Sequence, residues 1–287
     1  MPTALRNPQN EIVMLFIFYS LAELGDENSA ENGIVEAYIY DRFAERFSQM
    51  ATGLDYCALH NKTDFKLQEF LELFWAEAGL RRSIDKVYEI IVYSLFSALV
   101  DALELSVEVS YNPDKKAILN DFSEFSDKVL NLSADITYIK TTAKMYRVGV
   151  TNASDRGMDM WANFGLAIQI KHLSLSQELA EDIVNSVTAD RIVIVCKQAE
   201  QKIIVSLLNQ IGWKSRIQSI ITETDLIAWY EKALRGTYRE EIGDTILKIL
   251  SDEIKVEFPA TDNAEFQRFY RGRGYHKLTS DLWTIKK

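Results

Sequence analysis

YRVGVTNASDRGMDMWANFGLAIQIKHLSLS, Tyr146 to Ser176, contains two apolar alternating segments, Tyr146 to Val150 and Leu166 to Leu173. Both carry the period-two pattern of strands, and the polar run Thr151 to Gly157 separates them. Asp159 lies just before the second strand, and Gln169 and Lys171 stand inside it. Side chains two apart on a strand share a face. Gln169 and Lys171 are therefore expected to point one way while Ile168 and Ile170 point into a core. A mid-strand lysine is costly to bury unless an anion meets it. Lys171 is either a lysine snorkelling from a sheet edge or a group with chemistry to perform.

Downstream, the pattern predicts a helix over Gln177 to Val187, a strand over Arg191 to Cys196 and a helix over Ala199 to Ile211. A strand over Ile217 to Ile221 and a helix over Glu223 to Leu234 follow. Such alternation implies a mostly parallel sheet with helices on its faces. Thr222 ahead of Glu223 and Asp225 is a helix start. Arg239 to Ile254 reads as another amphipathic helix, and Pro259 marks a break.

Upstream, helical spacing runs through Ile12 to Leu24, Ile34 to Met50, Phe65 to Ala78 and Ile84 to Leu103. Thr63 and Ser83 are candidate N-caps, and Lys86 and Glu89 are expected on the polar side of the last of these helices. Leu105 to Tyr111 alternates as a strand, Asn112-Pro113-Asp114 is a turn, and Ile118 to Leu130 resumes helical spacing. The character changes after Asn131. The expected division is a mainly helical region, 1–132, and an α/β region, 133–287.

Asp159, Gln169 and Lys171 suit one reaction type. A hard divalent cation such as Mg²⁺ takes oxygen ligands, so one carboxylate and one amide oxygen can anchor it beside a phosphate. An ammonium two residues from the amide can orient the attacking water or stabilise charge developing on phosphorus. Hydrolysis of a phosphodiester needs this arrangement. One negative ligand is sparse, which predicts a second carboxylate from elsewhere. Glu89 is the first choice, and Glu178 and Glu181 come next.

The order aspartate, turn, hydrophobic–glutamine–hydrophobic–lysine resembles the PD-(D/E)xK nuclease superfamily, with Gln169 where the usual acid stands. The approach Arg156-Gly157-Met158-Asp159 also looks like the modification-dependent Mrr-type nucleases. A closer likeness is to the HaeII family of type II restriction endonucleases. It is carried by the opening stretch together with ADRIVIVCK and IITETDLIAWYEKALRG, strongly over Tyr146 to Gly236 and more loosely in the helical half. The resemblance implies a mixed α/β sheet core flanked by helices, with a largely α-helical N-terminal region that dimerises or clamps DNA. It also implies Asp159, Gln169 and Lys171 as the catalytic set. The implied substrate is double-stranded DNA holding a short GC-rich palindrome with GCGC at its centre. A palindromic target calls for a two-fold homodimer, and a cognate DNA methyltransferase would act on the same site without a stable complex.

Length and composition set the bounds. The 287 residues can bury a sizeable core as one large domain or two smaller ones. A hydrophobic fraction of 47% and a charged fraction of 26% are ordinary for a soluble globular protein. Cys57 and Cys196 have no paired or metal-type spacing, which predicts free thiols in a reducing cytoplasm. The N-terminal MPTALRNPQNE lacks the basic start and cleavage site of a signal peptide. Ile12 to Leu24 is too short to span a bilayer. A net charge of −10 argues against unselective coating of nucleic acid and confines phosphate contacts to a cleft with its own basic lining. Asn152, Ser154 and Arg156, in the loop before the acid, could reach base edges or phosphates. In the tail, Arg268, Arg271, Arg273 and Lys277 interleave with Phe269, Tyr270 and Tyr275. That stretch is either a strip that follows phosphates or a plain surface hairpin. His60 and His276 lack any zinc pattern, and His172, which follows Lys171 and points to the opposite face, reads as a satisfied core or surface histidine. The rival readings are a modification-dependent or junction-cleaving nuclease on the same core, and a non-catalytic α/β binding module.

Overall fold

The computed structural model describes residues 22–75, 84–148, 158–187, 189–200, 216–257 and 264–278. The chain divides into two compact units, residues 53–257 and a second built from 1–52 with 258–287. The composition change after Asn131 does not mark a boundary between them.

In the larger unit the mixed sheet has the order β3-β4-β5-β6-β7, from Met145–Arg147, Met160–Ala162, Leu166–Leu175, Arg191–Ala199 and Ile217–Thr222. β3, β4 and β5 are antiparallel neighbours, and β5, β6 and β7 run parallel. β4 was not foreseen. It covers only three residues, and Gly165, at φ 81, turns the chain back into β5 while its N–H bonds Ala162 O at 3.1 Å. The sheet is thus less parallel than the alternation implied. A separate two-stranded sheet pairs β1, Ser106–Ser110, with β2, Tyr138–Thr142. Between these two strands the expected single helix is broken into short turns over Lys116–Asp121 and Ser123–Phe125 and a π-helical turn over Ser126–Leu130.

The helices from Ile84, Gln177, Glu223 and Arg239 follow the predicted spacing closely, the one from Ile34 runs on past the expected Met50 to Leu59, and the one from Ala264 was not expected. In chain order the helices are α1 (Ile34–Leu59), α2 (Leu67–Trp75), α3 (Ile84–Ala102), α4 (Gln177–Ser186), α5 (Glu223–Arg235), α6 (Arg239–Glu257) and α7 (Ala264–Gly272). Ser176 caps α4 by accepting from Leu179 N, and Thr222 opens α5 in a reciprocal capping box with Asp225. Thr63 lies in a turn ahead of α2, and Ser83 and the expected 199–211 helix lie largely or wholly outside the described residues.

One face of the sheet packs Ala167, Ile192, Ile194 and Cys196 against Ala180 and Ile183 of α4. A second cluster gathers the rings of Phe65, Phe70, Phe74 and Tyr230, all essentially without solvent exposure. Tyr230 is satisfied there: its hydroxyl donates to Ile91 O at 2.9 Å and pairs with Ser94 Oγ at 2.8 Å. β5 is contacted by α3 as well as by α4, which fits the unbroken burial of Ala167 to Ile170. Cys57 and Cys196 are free thiols, as expected, and burial pushes them up to about 12 and about 11.

In the smaller unit Tyr275 is buried, stacks on Tyr40 at 5.6 Å and donates its hydroxyl to Glu36. Gly33, at φ 90, lies where a Cβ would sit 3.3 Å from the Tyr275 ring, so this position favours glycine both by conformation and by space. The basic aromatic tail is a helix, α7, and not a hairpin. No helix among the described residues is long and apolar enough to cross a membrane.

Candidate active site

Asp159 is fixed before its side chain is considered. Its N–H donates to Ile168 O at 3.3 Å and its carbonyl accepts from Val148 N at 3.0 Å, continuing the ladder on both sides. Because Met160 pairs with Ile168, Asp159 stands opposite Gln169 across the strands. The two side chains meet: Asp159 Oδ2 accepts from Gln169 Nε2 at 2.5 Å and from Ile170 N at 2.6 Å. Turning the amide over would set two oxygens against each other. Gln169 Oε1 is consequently the other end of the amide, buried and without a hydrogen-bond partner among the described residues. An orphaned carbonyl oxygen at 3% exposure is costly unless something electropositive meets it.

Gln169 was expected to face away from the core, yet it is as buried as the isoleucines beside it. Lys171 is half-buried on the same strand, in register with Cys196 of β6, and close enough to Asp159 to draw its carboxyl downward. Burial nevertheless dominates at Asp159 and raises it above the ordinary carboxylate range, with Ile170 N–H, Lys171 and Lys86 opposing and Asp85 adding to the rise.

Glu89, expected on a polar helix face, is instead buried at 6% exposure. The reason lies in its partners. Lys86 Nζ bonds both of its carboxylate oxygens, at 2.9 and 2.7 Å, and Arg147 Nη1 lies 3.9 Å from Oε2. Burial pushes Glu89 up to about 7, against the pull of Lys86 and Arg147, and the nearby Asp159 adds to the rise. The structure thus brings Glu89 into the neighbourhood of Asp159. Glu178 is exposed on α4, and Glu181 accepts from Gln177 at 3.2 Å.

Arg147 is the site residue that sequence reasoning passed over. It sits on β3 opposite Met160, the residue after Asp159, and bonds Glu253 at 3.0 and 2.9 Å and Glu257 at 2.7 Å. A signal existed: an arginine inside the alternating run Tyr146 to Val150 needs anions as much as Lys171 does, and Glu253 and Glu257 are one turn apart on α6. His172 pairs with Asp85 and lies 6.1 Å from the Trp75 ring, a satisfied histidine as its position suggested.

Asn152, Ser154 and Arg156 lie outside the described residues. Arg268, Arg271, Arg273 and Lys277 are exposed on and just after α7 in the smaller unit, with the Arg273 guanidinium 5.5 Å over the Phe269 ring.

A divalent cation fits this donor set. No three His, Cys, Asp or Glu side chains converge among the described residues, so a centre here needs the amide. Gln169 Oε1 supplies an otherwise unmet oxygen beside the Asp159 carboxylate, with Glu89 as a second acid.

Glu89 also makes a testable prediction. Without divalent ions the folded protein holds its proton to higher pH than the unfolded chain does, so stability falls as pH rises through about 7. The loss is on the order of 3 kcal/mol. Asp159, also raised, acts in the same direction. Glu89→Gln should remove most of this fall in denaturant unfolding at pH 5.5 and 8 with chelator present. An equal fall in wild type and variant would assign it to other groups.

Known proteins match this chain over most of its length. The family model for HaeII restriction endonuclease matches residues 16–275. Type II restriction enzyme HaeII of Haemophilus aegyptius is 56% identical over 254 residues, 88% of this chain and 72% of that protein. Type II restriction enzyme NgoBI of Neisseria gonorrhoeae is 55% identical over 256 residues, 89% of this chain and 72% of that protein. No solved structure matches. The chain belongs to the HaeII restriction endonuclease family and is a type II site-specific endonuclease.

Proposed function

We propose that this endonuclease hydrolyses phosphodiester bonds in double-stranded DNA, with Mg²⁺, at a short GC-rich palindrome centred on GCGC. The observation that carries the chemistry is the Asp159–Gln169 pair with its orphaned amide oxygen, and the buried Glu89 is a second acid near Asp159. Asp159, Gln169 and Glu89 would hold the ion. Bound there, it supplies Lewis-acid polarisation of the scissile phosphate. Lys171 orients the attacking water or stabilises the charge that develops on phosphorus. The Ile170 N–H keeps the Asp159 carboxylate aimed throughout.

The GC-rich target rests on the family resemblance alone, a two-fold homodimer with one site per strand follows from a palindrome, and the two free thiols suit the cytoplasm. A cognate methyltransferase would protect the same sequence without a lasting complex. Arg268, Arg271, Arg273 and Lys277, exposed on and after one helix, suit phosphate contacts, and Asn152, Ser154 and Arg156 suit the bases or phosphates nearest the cut. The experiment is a digest of mapped, unmethylated DNA with Mg²⁺, followed by sequencing of the ends. Discrete fragments with one recurring terminal sequence are expected. Intact DNA, or cutting only of methylated DNA, would overturn the reading.

A further inference from the structure

The ammonium of Lys86 occupies both oxygens of Glu89, at 2.9 and 2.7 Å. An i, i+3 pair on an exposed helix face would be ordinary and weak. This pair differs in placement. Glu89 is buried, Lys86 is about one quarter exposed, and Asp159, the carboxylate paired with Gln169, lies near enough to raise Glu89 and to be drawn down by Lys86. With the buried Glu89 near a second acid, Asp159, the ion-free protein needs a positive charge of its own there. Arg147 does not fill that place, because its closer bonds go to Glu253 and Glu257 and it stands 3.9 Å from Glu89.

We propose that Lys86 is the resident counter-cation of the active site: it holds the Glu89 carboxylate in the ion-free protein and must release it when a divalent cation binds. Lys86 is a positioning residue, acting through Glu89. Its side chain has the solvent access that release requires, whereas Glu89 does not. Divalent binding therefore competes with an internal ion pair, which keeps affinity low until the substrate phosphate adds its own charge. This inference rests on the metal site proposed above.

The test is Mn²⁺ binding to the full chain without DNA, followed by calorimetric titration at pH 8. Lys86→Met and Lys86→Gln should each bind Mn²⁺ about tenfold more tightly than wild type, because the competing charge is gone. Lys86→Arg, which keeps the charge, should stay near the wild-type affinity. Two substitutions of different polarity keep the test usable if one of them misfolds. A lysine with a merely structural role would leave affinity unchanged or weaken it, and either result overturns the proposal, as does the absence of binding in every variant. Asp159→Ala is run beside them: if Mn²⁺ binding survives that change, the metal site itself is misassigned. If binding vanishes there but Lys86→Met binds no more tightly than wild type, the counter-cation alone is wrong.

Discussion

Lys171→Ala should lower the rate of DNA cleavage by about 10³-fold, with binding of the same DNA, measured with Ca²⁺ in place of Mg²⁺, changed far less. Lys171 carries the only ammonium on β5, two residues from the amide, and makes no ion pair among the described residues. A half-buried cation that Asp159 attracts but does not pair with is available to an anion on the substrate. Loss of an interaction made mainly in the transition state lowers kcat more than affinity. Comparable losses in binding and cleavage would instead make Lys171 a general phosphate contact. Undiminished cleavage would remove it from the chemistry.

Asp159→Asn should lower cleavage at least as far, by about 10³-fold or more, and abolish the rise in Tm that Mn²⁺ gives the wild type. The two effects separate fold from function. Burial already disfavours the charged form of Asp159 in the ion-free protein, so removing that charge should leave the ion-free Tm unchanged or raised. The asparagine carbonyl can still accept from Ile170 N–H, the bond that seats the side chain. A large drop in the ion-free Tm would mean that Asp159 is chiefly structural.

Much of this was legible in the sequence because strand and helix periods differ. The alternation from Leu166 placed Gln169 and Lys171 on one strand, and the capping chemistry of Thr222 fixed the start of α5, whereas the Ser176 cap of α4 went unread. The spacing in Ile84 to Leu103 gave α3 almost to the residue. Periodicity is silent about which polar residue is buried, since burial depends on what arrives from distant segments. Glu89 was therefore assigned to the wrong side of its helix, and Arg147 went unremarked although it bonds residues more than a hundred positions away. Short elements were lost for a related reason. The three residues of β4 carry too little pattern to register, yet the hairpin they form is what sets Asp159 opposite Gln169. Gln169 was read as a departure from the superfamily pattern; its buried, unmatched oxygen gives that departure a physical meaning, an uncharged ligand where two acids already crowd one another.

The central claim is that Asp159, Gln169 and Glu89 share one divalent ion at the start of β5. Anomalous scattering from a crystal of the protein soaked with Mn²⁺ tests it most directly. The account predicts a single strong peak about 2.1–2.3 Å from an Asp159 carboxylate oxygen and from Gln169 Oε1, with Lys86 swung away from Glu89. A peak elsewhere, or an empty site with the Gln169 amide still closed on Asp159 at saturating Mn²⁺, would contradict it.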